Sequence, residues 1–533
     1  MSVPAHEQGF EPAKQEPAPR LTLMVLPWAT GQRDAAAILE SVRAQALPGC
    51  EILVVGPRKT VVAAGEDHGT GALARVTVSD SPTAVEAFNA GLDAASGEFV
   101  VAVDHPLADA AVLTIIETIH AHDDLDVLYG DDGGQDHAGT VVPTDRRPDF
   151  SPERLRSQMY FGTFTVYRAA LLRDVGGYRA GFPGAEAYDL ALRATERARF
   201  VLHLPRVLSM PREPGGTESG AGSPQTTADS ELRAVSEHLD RTIGGSAEPG
   251  RISGTFRIRR SLHGAPLVSI IIPTRGSSAV IRGESRCLVV EAVRGIVDRS
   301  DYASVEIVVV VDDATPAPVI EELRVLAGDR LVVVPWSEPF SFSGKVNRGV
   351  VCSRGDYLLL LNDDTEVIAP DWIQSMLAIA QQPDVGMVGA MLYFEDGSIQ
   401  HAGHLYDHGN AGHIGFGWPH DAPGPNGAFV VDREVSGVTA ACAVLPRQVY
   451  FEVGGLSAVF PGNYNDVDLS MKVTGAGYRI IWTPWAELVH FESKTRVPTI
   501  GHRELRAIRA RWGHRMRRDP YWPDGPGDFV KRG

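Results

Sequence analysis

Polar side chains follow several apolar runs in the second half of this 533-residue chain. Asp312-Asp313 end the run VEIVVVVDD, Asn362-Asp363-Asp364 follow YLLLL, and His490 ends ELVH. Side chains delivered at successive strand ends of one sheet can converge on one pocket. Two carboxylates and a histidine could hold a hard divalent cation there. Asp466 lies later in this half of the chain, and a separate, unliganded aspartate could accept a proton from a hydroxyl group as a general base.

The elements that must position these side chains are short β-branched runs that alternate with helical segments. LVSIIIPTR (267–275) and VEIVVVVDDAT (305–315) are examples of the runs, and AAAILESVRAQAL is an example of a helical segment. Continuous apolar strands are typical of a parallel sheet covered on both faces. Their alternation with helices predicts βαβ units and therefore an α/β fold.

This pattern occurs twice along the chain. NAGLDAASGEFVVAVDHPLAD (89–109) aligns without a gap to NRGVVCSRGDYLLLLNDDTEV (347–367), and FPGAEAYDLALR (182–193) resembles FPGNYNDVDLSMK (460–472). Internal repeats of this length predict tandem domains. We predict a disordered tail at 1–19, a first domain at 20–212, a linker with a short helix at 213–262, a second domain at 263–500, and a basic helix and tail at 501–533.

The first copy of the repeat lacks the polar set of the second. The counterparts are Pro57-Arg58, Asp104-His105-Pro106, Ala187 and, with a one-residue gap, Met210. Proline and alanine bind no metal, so the first domain is predicted to keep the fold and to have lost the chemistry. Two alternatives stay open: Glu186 could fill the space of the missing carboxylate, and residual binding could rest on Asp104, Asp131 and Asp132.

The overall balance of charge is acidic, with 50 Lys and Arg against 67 Asp and Glu and a net charge of −17. Broad nucleic-acid binding needs a basic face and is therefore not expected. The four cysteines are scattered without a CxxC motif, which fits a reducing compartment. The polar N-terminus is unlike a signal peptide, and no apolar run approaches the roughly 20 residues of a membrane span. We expect a cytoplasmic protein.

Three further features have competing interpretations. Asp468 is expected to cap a helix. The histidine-rich stretch QHAGHLYDHGNAGHIGFGWPH (400–420) could be a zinc site, but a loop over the pocket that contacts an acceptor is favoured, since no cysteine or regular ligand spacing supports zinc. The arginine-rich segment 502–522 is either a solvated helix or a contact with an anionic membrane surface or a lipid diphosphate.

Five motifs in order resemble the inverting glycosyltransferase family 2, which has the GT-A fold. They are SIIIPTR, VVVVDDAT, GDYLLLLNDDTEV, VGGL…YNDVDLSMK and PWAELVHFESK. Within that family the chain is similar to the two-domain enzymes of bacterial surface-polysaccharide assembly, of the O-antigen and rhamnan type. The resemblance implies two tandem GT-A-like, Rossmann-like domains with mostly parallel sheets.

The resemblance also implies roles for individual residues. Pro273, Thr274, Arg275, Asp312 and Asp313 would line the nucleotide, Asn347 would support the donor pocket, and Asn362 and Asp363 would lie beside the donor. Asn362-Asp363-Asp364 occupies the family's Asp-X-Asp position, with Asn at the first place, and Asp364 would bind Mg²⁺ or Mn²⁺. Asp466 would be the catalytic base, and His490 would bind the metal or the diphosphate.

The implied partners are a nucleotide-sugar donor and a saccharide or lipid-linked acceptor. The resemblance favours dTDP-rhamnose as the donor and leaves UDP-hexoses and UDP-galactofuranose open. Two other classes remain as alternatives: a sugar-phosphate nucleotidyltransferase, for which PTRGSSAVIRGESR is a poor phosphate loop, and a non-catalytic carbohydrate-binding or scaffold protein. Peripheral contact with the plasma membrane through the arginine-rich helix is a further expectation.

Overall fold

The computed structural model describes residues 21–26, 32–58, 72–78, 82–135, 140–162, 164–211, 224–491 and 501–523. The chain divides into two compact units, of which the first comprises Met1–Thr144 and Phe161–Ala221 and the second comprises Asp145–Tyr160 and Gly222–Gly533. The predicted tail at 1–19 lies outside the described residues. No helix within the described ranges is both long enough and apolar enough to cross a membrane.

The strands form one large sheet in each unit and three small hairpins. The first sheet contains β1 (Leu21–Val25), β2 (Glu51–Pro57), β3 (Ala72–Val78), β4 (Phe99–Val103), β5 (Leu125–Gln135), β6 (Val141–Asp145), β7 (Thr165–Arg168) and β8 (Phe200–Ser209). The remaining strands are β9 (Ser246–Pro249), β10 (Phe256–Arg259), β11 (Val268–Thr274), β12 (Ser278–Ile281), β13 (Glu284–Cys287), β14 (Val305–Asp312), β15 (Leu331–Trp336), β16 (Tyr357–Leu361), β17 (Thr365–Val367), β18 (Val385–Tyr393), β19 (Ile399–His401), β20 (His404–Asp407), β21 (Asn410–His413), β22 (Arg433–Glu434), β23 (Cys442–Pro446) and β24 (Arg479–His490).

The helices alternate with the strands, as predicted. They are α1 (Gln32–Gln45), α2 (Ala84–Ala94), α3 (Ala111–Ala121), α4 (Pro152–Ser157), α5 (Ala169–Val175), α6 (Glu186–Thr195), α7 (Pro224–Arg241), α8 (Leu288–Arg299), α9 (Ala317–Ala327), α10 (Phe342–Cys352), α11 (Trp372–Ala380), α12 (Arg447–Glu452), α13 (Asn465–Gly475) and α14 (His502–Trp512). Two short 3₁₀ turns cover Gly328–Arg330 and Pro425–Gly427.

The two large sheets share one strand order. The first runs β3-β2-β1-β4-β7-β5, and the second runs β15-β14-β11-β16-β23-β18. The first four strands of each order are parallel, whereas β7 and β23 are antiparallel to their neighbours. Apolar side chains cover both faces of the second sheet. The predicted fold class is confirmed, with two tandem α/β units around parallel strands.

A buried polar network recurs at the same place in both sheets. In the second sheet the Ser269 hydroxyl donates to Glu306 Oε1 (2.6 Å) and accepts a hydrogen bond from the Gly355 amide (2.8 Å). The first sheet repeats both hydrogen bonds with Thr22, Glu51 and Gly97. Because a buried carboxylate without partners is costly, this network is retained in both copies as part of the fold.

The linker predicted at 213–262 contains a longer helix than expected. Helix α7 starts at Pro224 and therefore includes the Ser/Thr-rich residues 224–230, which the sequence assigns to irregular linker. Proline is well tolerated in the first helical turn. The Ser230 hydroxyl donates to the Thr226 carbonyl (2.9 Å), so the helix itself satisfies this polar side chain.

Residues 145–160 belong to the second unit, although the sequence places them inside the first domain. Helix α4 carries Glu153, which is fully buried and forms ion pairs with Arg156 (2.7 Å), Arg260 and Arg479 (3.3 Å). Burial alone would raise the pKa of the Glu153 carboxyl, but these guanidinium groups outweigh it and lower the pKa. A charged network therefore fixes α4 in the second unit.

Candidate active site

A cavity of about 480 Å³ lies where the parallel strands of the second sheet end. Eight of the eleven predicted site residues line it: Pro273, Thr274, Arg275, Asn362, Asp363, Asp364, Asp466 and His490. The other three, Asp312, Asp313 and Asn347, are not among the lining residues. The sequence therefore brought eight lining residues of one pocket together from motifs that are up to about 220 residues apart.

The floor of the cavity contains a donor set suited to a divalent cation. His490 Nε2 lies 3.1 Å from Asp364 Oδ1, close to the roughly 3.0 Å between adjacent ligands of an octahedral Mg²⁺ site. Asn362 Oδ1 is buried and has no hydrogen-bond partner among the described residues. Gln400 Oε1 lies 2.7 Å from His490 Nδ1, and the Asn362 amide nitrogen lies 3.0 Å from Nε2. With Nδ1–H donating to Gln400, Nε2 is the nitrogen of this ring that would be left to bind a cation. These residues fit Mg²⁺ or Mn²⁺.

The two adjacent carboxyl groups have opposite electrostatic environments. Burial and the neighbouring Asp364 charge raise the pKa of Asp363, whose carboxylate accepts a hydrogen bond from Thr274 Oγ1 (2.6 Å). Burial also opposes ionisation of Asp364, but His490 outweighs it and lowers the pKa of that carboxyl group. Asp364 is therefore the carboxylate prepared to face a cation.

Lys345 on α10 was not identified from the sequence. Its ammonium group lies 2.6 Å from Asp312 Oδ1 and donates to the Thr274 carbonyl (2.8 Å), and its side chain is only 1% exposed. Lys345 lines the cavity, so Asp312 acts on the site through this lysine. In the first unit the same two positions hold Ala87 and Pro57, so the ion pair is absent as a whole.

Asp313 and Asn347 have other contacts. Asp313 accepts a hydrogen bond from the Ser337 hydroxyl (3.1 Å). The Asn347 side chain accepts from the Leu456 amide (3.0 Å) and donates to the Leu456 carbonyl (2.8 Å), so it clamps the turn after the Gly-Gly pair. Asn89 makes the same two hydrogen bonds with Tyr178 in the first unit, which indicates a structural role common to both copies.

Asp466 lies in the first turn of α13, on the wall of the cavity. The helix begins directly after Tyr464, whose φ of 58° turns the chain sharply before the helix. His404 Nε2 lies 3.7 Å from Asp466 Oδ2. Burial would raise the pKa of Asp466, but His404 outweighs it and lowers the pKa to about 2. Asp466 is therefore ionised at neutral pH, as a proton acceptor must be.

Asp468 does not cap the helix through its side chain. It lies inside the first turn, where it contacts Lys472 (3.5 Å), Arg511 (3.1 Å) and the Trp512 indole N–H (2.8 Å). Lys472 in turn donates to the Gly455 carbonyl. In the first unit Asp189 pairs with Arg193, which donates to the Gly177 carbonyl. The carboxylate shared by both copies is therefore structural.

Backbone register resolves which residues of the first unit correspond to the site. Helix α6 begins at Glu186, three residues before Asp189, just as α13 begins at Asn465, three residues before Asp468. Ala187 therefore corresponds to Asp466, and Glu186 corresponds to Asn465. Pro106 accepts a backbone hydrogen bond from Met210 as Asp364 does from Phe491. The counterpart of His490 is consequently Ser209, one residue before the Met210 predicted from the sequence.

The histidine-rich stretch forms strands β19–β21 beside the cavity. His401, His404 and His413 place one nitrogen each within 4.8 Å of the others, and two of them, His404 and His413, line the cavity. His420 instead packs against the ring of Tyr393. The favoured prediction of a segment at the pocket agrees with this arrangement, although the strands make it more regular than a loop.

Comparisons with known proteins agree with the motifs. A family model described as "Glycosyl transferase family 2" matches residues 269–454. The chain is 35% identical to the "Uncharacterized protein y4gI" of Sinorhizobium fredii and covers 53% of that protein with 89% of its own length. It is 33% identical to the "O-antigen biosynthesis protein RfbC" of Myxococcus xanthus and covers 33% of it with 79% of its own length. The chain thus spans about half of the first relative and a third of the second.

Solved structures of three glycosyltransferases show weaker similarity. GalNAc-T7 with UDP, GalNAc and Mn²⁺ has a TM-score of 0.37 and 14% identity, over 47% of this chain and 50% of that one. The mannosyltransferase PcManGT from Pyrobaculum calidifontis with GDP-Man and Mn²⁺ has a TM-score of 0.31 and 16% identity, over 54% of this chain and 70% of that one. S. aureus TarS 1–349 with UDP-GlcNAc has a TM-score of 0.33 and 19% identity, over 41% of this chain and 66% of that one. The match to the glycosyl transferase family 2 model lies within the second unit of the chain, which also contains the cavity.

Proposed function

We propose that the second unit is an inverting glycosyltransferase that moves a sugar from a nucleotide donor to a saccharide hydroxyl in cell-surface polysaccharide synthesis. The observation that carries the proposal is the cavity, which has Asp364 and His490 on its floor and Asp466 on its wall. A cation site and a separate ionised carboxylate in one cavity suit the departure of a diphosphate and the attack of a hydroxyl group.

The donor end of the cavity lies beside β11 and α10. Thr274 and Arg275 line it, and the Arg275 guanidinium lies 5.5 Å from the centre of the Phe340 ring. Asp364, His490 and Asn362 would hold Mg²⁺ or Mn²⁺, which supplies charge neutralisation for the leaving nucleoside diphosphate. Lys345 lies behind Thr274 and keeps the Asp312 charge compensated.

Asp466 takes the proton of the acceptor hydroxyl. The hydroxyl oxygen forms the new bond at the anomeric carbon as the bond to the diphosphate breaks, and the electron pair leaves with the diphosphate. A single in-line displacement inverts the anomeric configuration. This displacement needs the base and the leaving group on opposite sides of the sugar, and Asp466 lies on α13 whereas Asp364 and His490 lie on other elements of the same cavity.

The first unit is proposed to be non-catalytic. Pro106, Ala187 and Ser209 stand where the second unit has Asp364, Asp466 and His490, and none of the three replacements provides a carboxylate or an imidazole. The first unit retains the Asn89 clamp and the Glu51 network, so it keeps structural interactions of the second unit without the residues proposed for the chemistry.

The proposed donor remains dTDP-rhamnose, with UDP-sugars as the other candidates, and the acceptor is a saccharide or a lipid-linked saccharide. Membrane contact through α14 is proposed with a smaller surface than the sequence suggests, because part of its arginine set is engaged within the protein. Arg511 contacts Asp468, and Arg509 donates to Asn410, whereas Arg503 and Arg506 are exposed.

A panel of nucleotides and nucleotide sugars, each with and without Mn²⁺, tests the donor site by thermal shift. We expect one nucleotide to raise the melting temperature in a metal-dependent manner, since a ligand that binds only the native state stabilises it. Asp364→Ala should abolish this increase. The matched control is Asp104→Ala, which removes a carboxylate remaining at the equivalent strand end of the first unit and should leave the increase unchanged.

Two results would contradict the proposal. A metal-independent shift that survives Asp364→Ala would remove the cation from the donor site. The absence of a shift with every nucleotide, together with a shift from free oligosaccharides, would favour the carbohydrate-binding alternative.

A further inference from the structure

A chain of polar side chains leads from the core of the second unit to Asp466. Tyr406 Oη lies 3.2 Å from His404 Nδ1, and His404 Nε2 lies 3.7 Å from Asp466 Oδ2. At its other end, Tyr406 interacts with the hydroxyl group of Ser470, which accepts a hydrogen bond from the Val438 amide (3.3 Å). Tyr406, His404 and Ser470 are all buried.

The polar contacts of this chain have a defined direction. A carboxylate can only accept, so the nitrogen of His404 that faces Asp466 must carry the proton. Nδ1 of the neutral ring is then an acceptor, and Tyr406 donates its hydroxyl proton to it. The Tyr406 oxygen is left to accept from Ser470. Each member therefore donates toward Asp466, and the tyrosine fixes the tautomer of the histidine.

Gly437 is required for this close packing. A Cβ atom at Gly437 would lie 2.5 Å from Tyr406 Oη, 2.7 Å from His404 Nδ1 and 2.8 Å from the Cβ of Ser470. All three contacts are closer than real Cβ atoms allow. The Gly437 carbonyl also accepts a hydrogen bond from the His404 amide (2.7 Å). The backbone at Gly437 thus encloses three members of the chain at once.

The neighbouring histidines are arranged for hydrogen bonding among themselves. The Thr439 amide donates to His401 Nε2 (3.2 Å), so Nδ1 of His401 carries the proton when the ring is neutral. His401 Nδ1 lies 2.8 Å from His413 Nδ1, which accepts a hydrogen bond from it. In this tautomer Nδ1 of His401 donates to His413, so these rings form a hydrogen-bonded wall beside His404.

We propose that His404, fixed by Tyr406 and Ser470 across Gly437, is a positioning residue that holds the Asp466 carboxylate in its reactive orientation. The inference rests on the proposed role of Asp466 as general base. It adds three residues whose function lies in the orientation of another side chain. The 3.7 Å separation is longer than a hydrogen bond, and such contacts tighten when substrate closes the site.

The groups that face Asp466 support this role. The β20–β21 hairpin presents His404, His413 and the Tyr406 hydroxyl to it. Burial would raise the pKa of the Asp466 carboxyl group, but the effect of His404 is larger and lowers it. Burial raises the pKa of Tyr406, and the Asp466 charge is the second-largest cause of this increase. Tyr406 therefore stays protonated and can act as a donor.

Tyr406→Phe is the first test, because it removes one hydroxyl group and leaves the ring in its apolar cluster. We expect kcat to fall by about 10-fold, the lower end for removal of a group that orients a reactive ligand, while KM for the donor changes by less than about 2-fold. Tyr393→Phe is the matched control, since Tyr393 is equally buried and its hydroxyl donates to Glu487 (2.9 Å). This control should retain wild-type kcat.

A pair of variants at position 404 separates orientation from packing. Glutamine can place an amide N–H near the position of Nε2, whereas leucine cannot. We expect His404→Leu to lower kcat by about 100-fold and His404→Gln to recover most of this loss, with the donor-induced thermal shift unchanged in both variants.

Three outcomes would overturn the inference. One is wild-type kcat in Tyr406→Phe, and another is equal kcat in the leucine and glutamine variants of His404. The third is stoichiometric Zn²⁺ in the purified wild type that is lost in His401→Gln. The wild-type transfer reaction is measured first: its absence would overturn the proposed function and the inference with it, whereas an active wild type with an unaffected Tyr406→Phe variant would overturn the inference alone.

Discussion

Asp466→Asn is expected to lower kcat by at least about 100-fold, the usual scale for the loss of a general base. Asparagine has nearly the same shape as aspartate but accepts a proton poorly. The change removes the ionised group that His404 faces and leaves the cation residues Asp364 and His490 in place. The metal-dependent thermal shift caused by the donor nucleotide should therefore persist in this variant.

The measurement is the release of nucleoside diphosphate in the presence of acceptor. Asp396→Asn is the control, because Asp396 is an aspartate whose hydrogen bonds are confined to its own turn, with Ser398, and its substitution should leave turnover unchanged. Near-wild-type turnover in Asp466→Asn would contradict the assignment of Asp466 as the base. Loss of donor binding together with turnover would instead place Asp466 in the donor site.

Glu153→Gln is expected to destabilise the second unit by about 3 to 5 kcal/mol, the typical cost of removing one partner from a buried ion pair. The substitution leaves the buried Arg260 and the half-buried Arg479 with one carboxylate fewer between them. For a unit of about 330 residues the shift is about 1.5 °C per kcal/mol, so the melting temperature should fall by about 4 to 7 °C. Glu248→Gln is the control, since its ion pair with Arg259 is exposed on both sides and worth about 1 kcal/mol or less.

The effect should depend on pH in a defined direction. The folded-state pKa of Glu153 lies below its ordinary value, so its stabilising contribution is complete above about pH 4.3, the ordinary value for Glu. The contribution is lost as the pH falls through the folded-state pKa. Melting temperatures of wild type and variant should therefore converge in strong acid. A constant difference down to acid pH would contradict the role of the Glu153 charge.

Much of the second unit could be predicted because its chemistry follows strand ends. Asn362, Asp363 and Asp364 come directly after an apolar run, and the sheet's topology alone delivers them to the same edge as Thr274. The repeat added information, because each position could be compared with a copy under the same structural demands. The Ala187 substitution stood out in this way.

Other features depend on contacts that no local pattern records. Lys345 lies inside an amphipathic helix, and only its pairing with Asp312 reveals that it serves the site. His404 was one of five histidines in a glycine-rich stretch, and the register of the β20–β21 hairpin decides which of them meet Asp466. The Ser209 correspondence required the backbone hydrogen bond of Pro106, since strand lengths differ between the copies.

The position of α4 delays the completion of its ion-pair network while the protein is synthesised. Glu153 and Arg479 are separated by 326 residues. Arg479 is therefore the last of the three arginine partners of this buried carboxylate to leave the ribosome. At roughly 5–20 residues per second, the interval is about 16 to 65 s. During that time the first unit can finish folding around both ends of residues 145–160, while the segment itself waits for the second unit. A fragment that starts after residue 222 would lack this helix, so any contiguous piece of the gene that encodes the whole second unit must also encode residues 161–221 of the first.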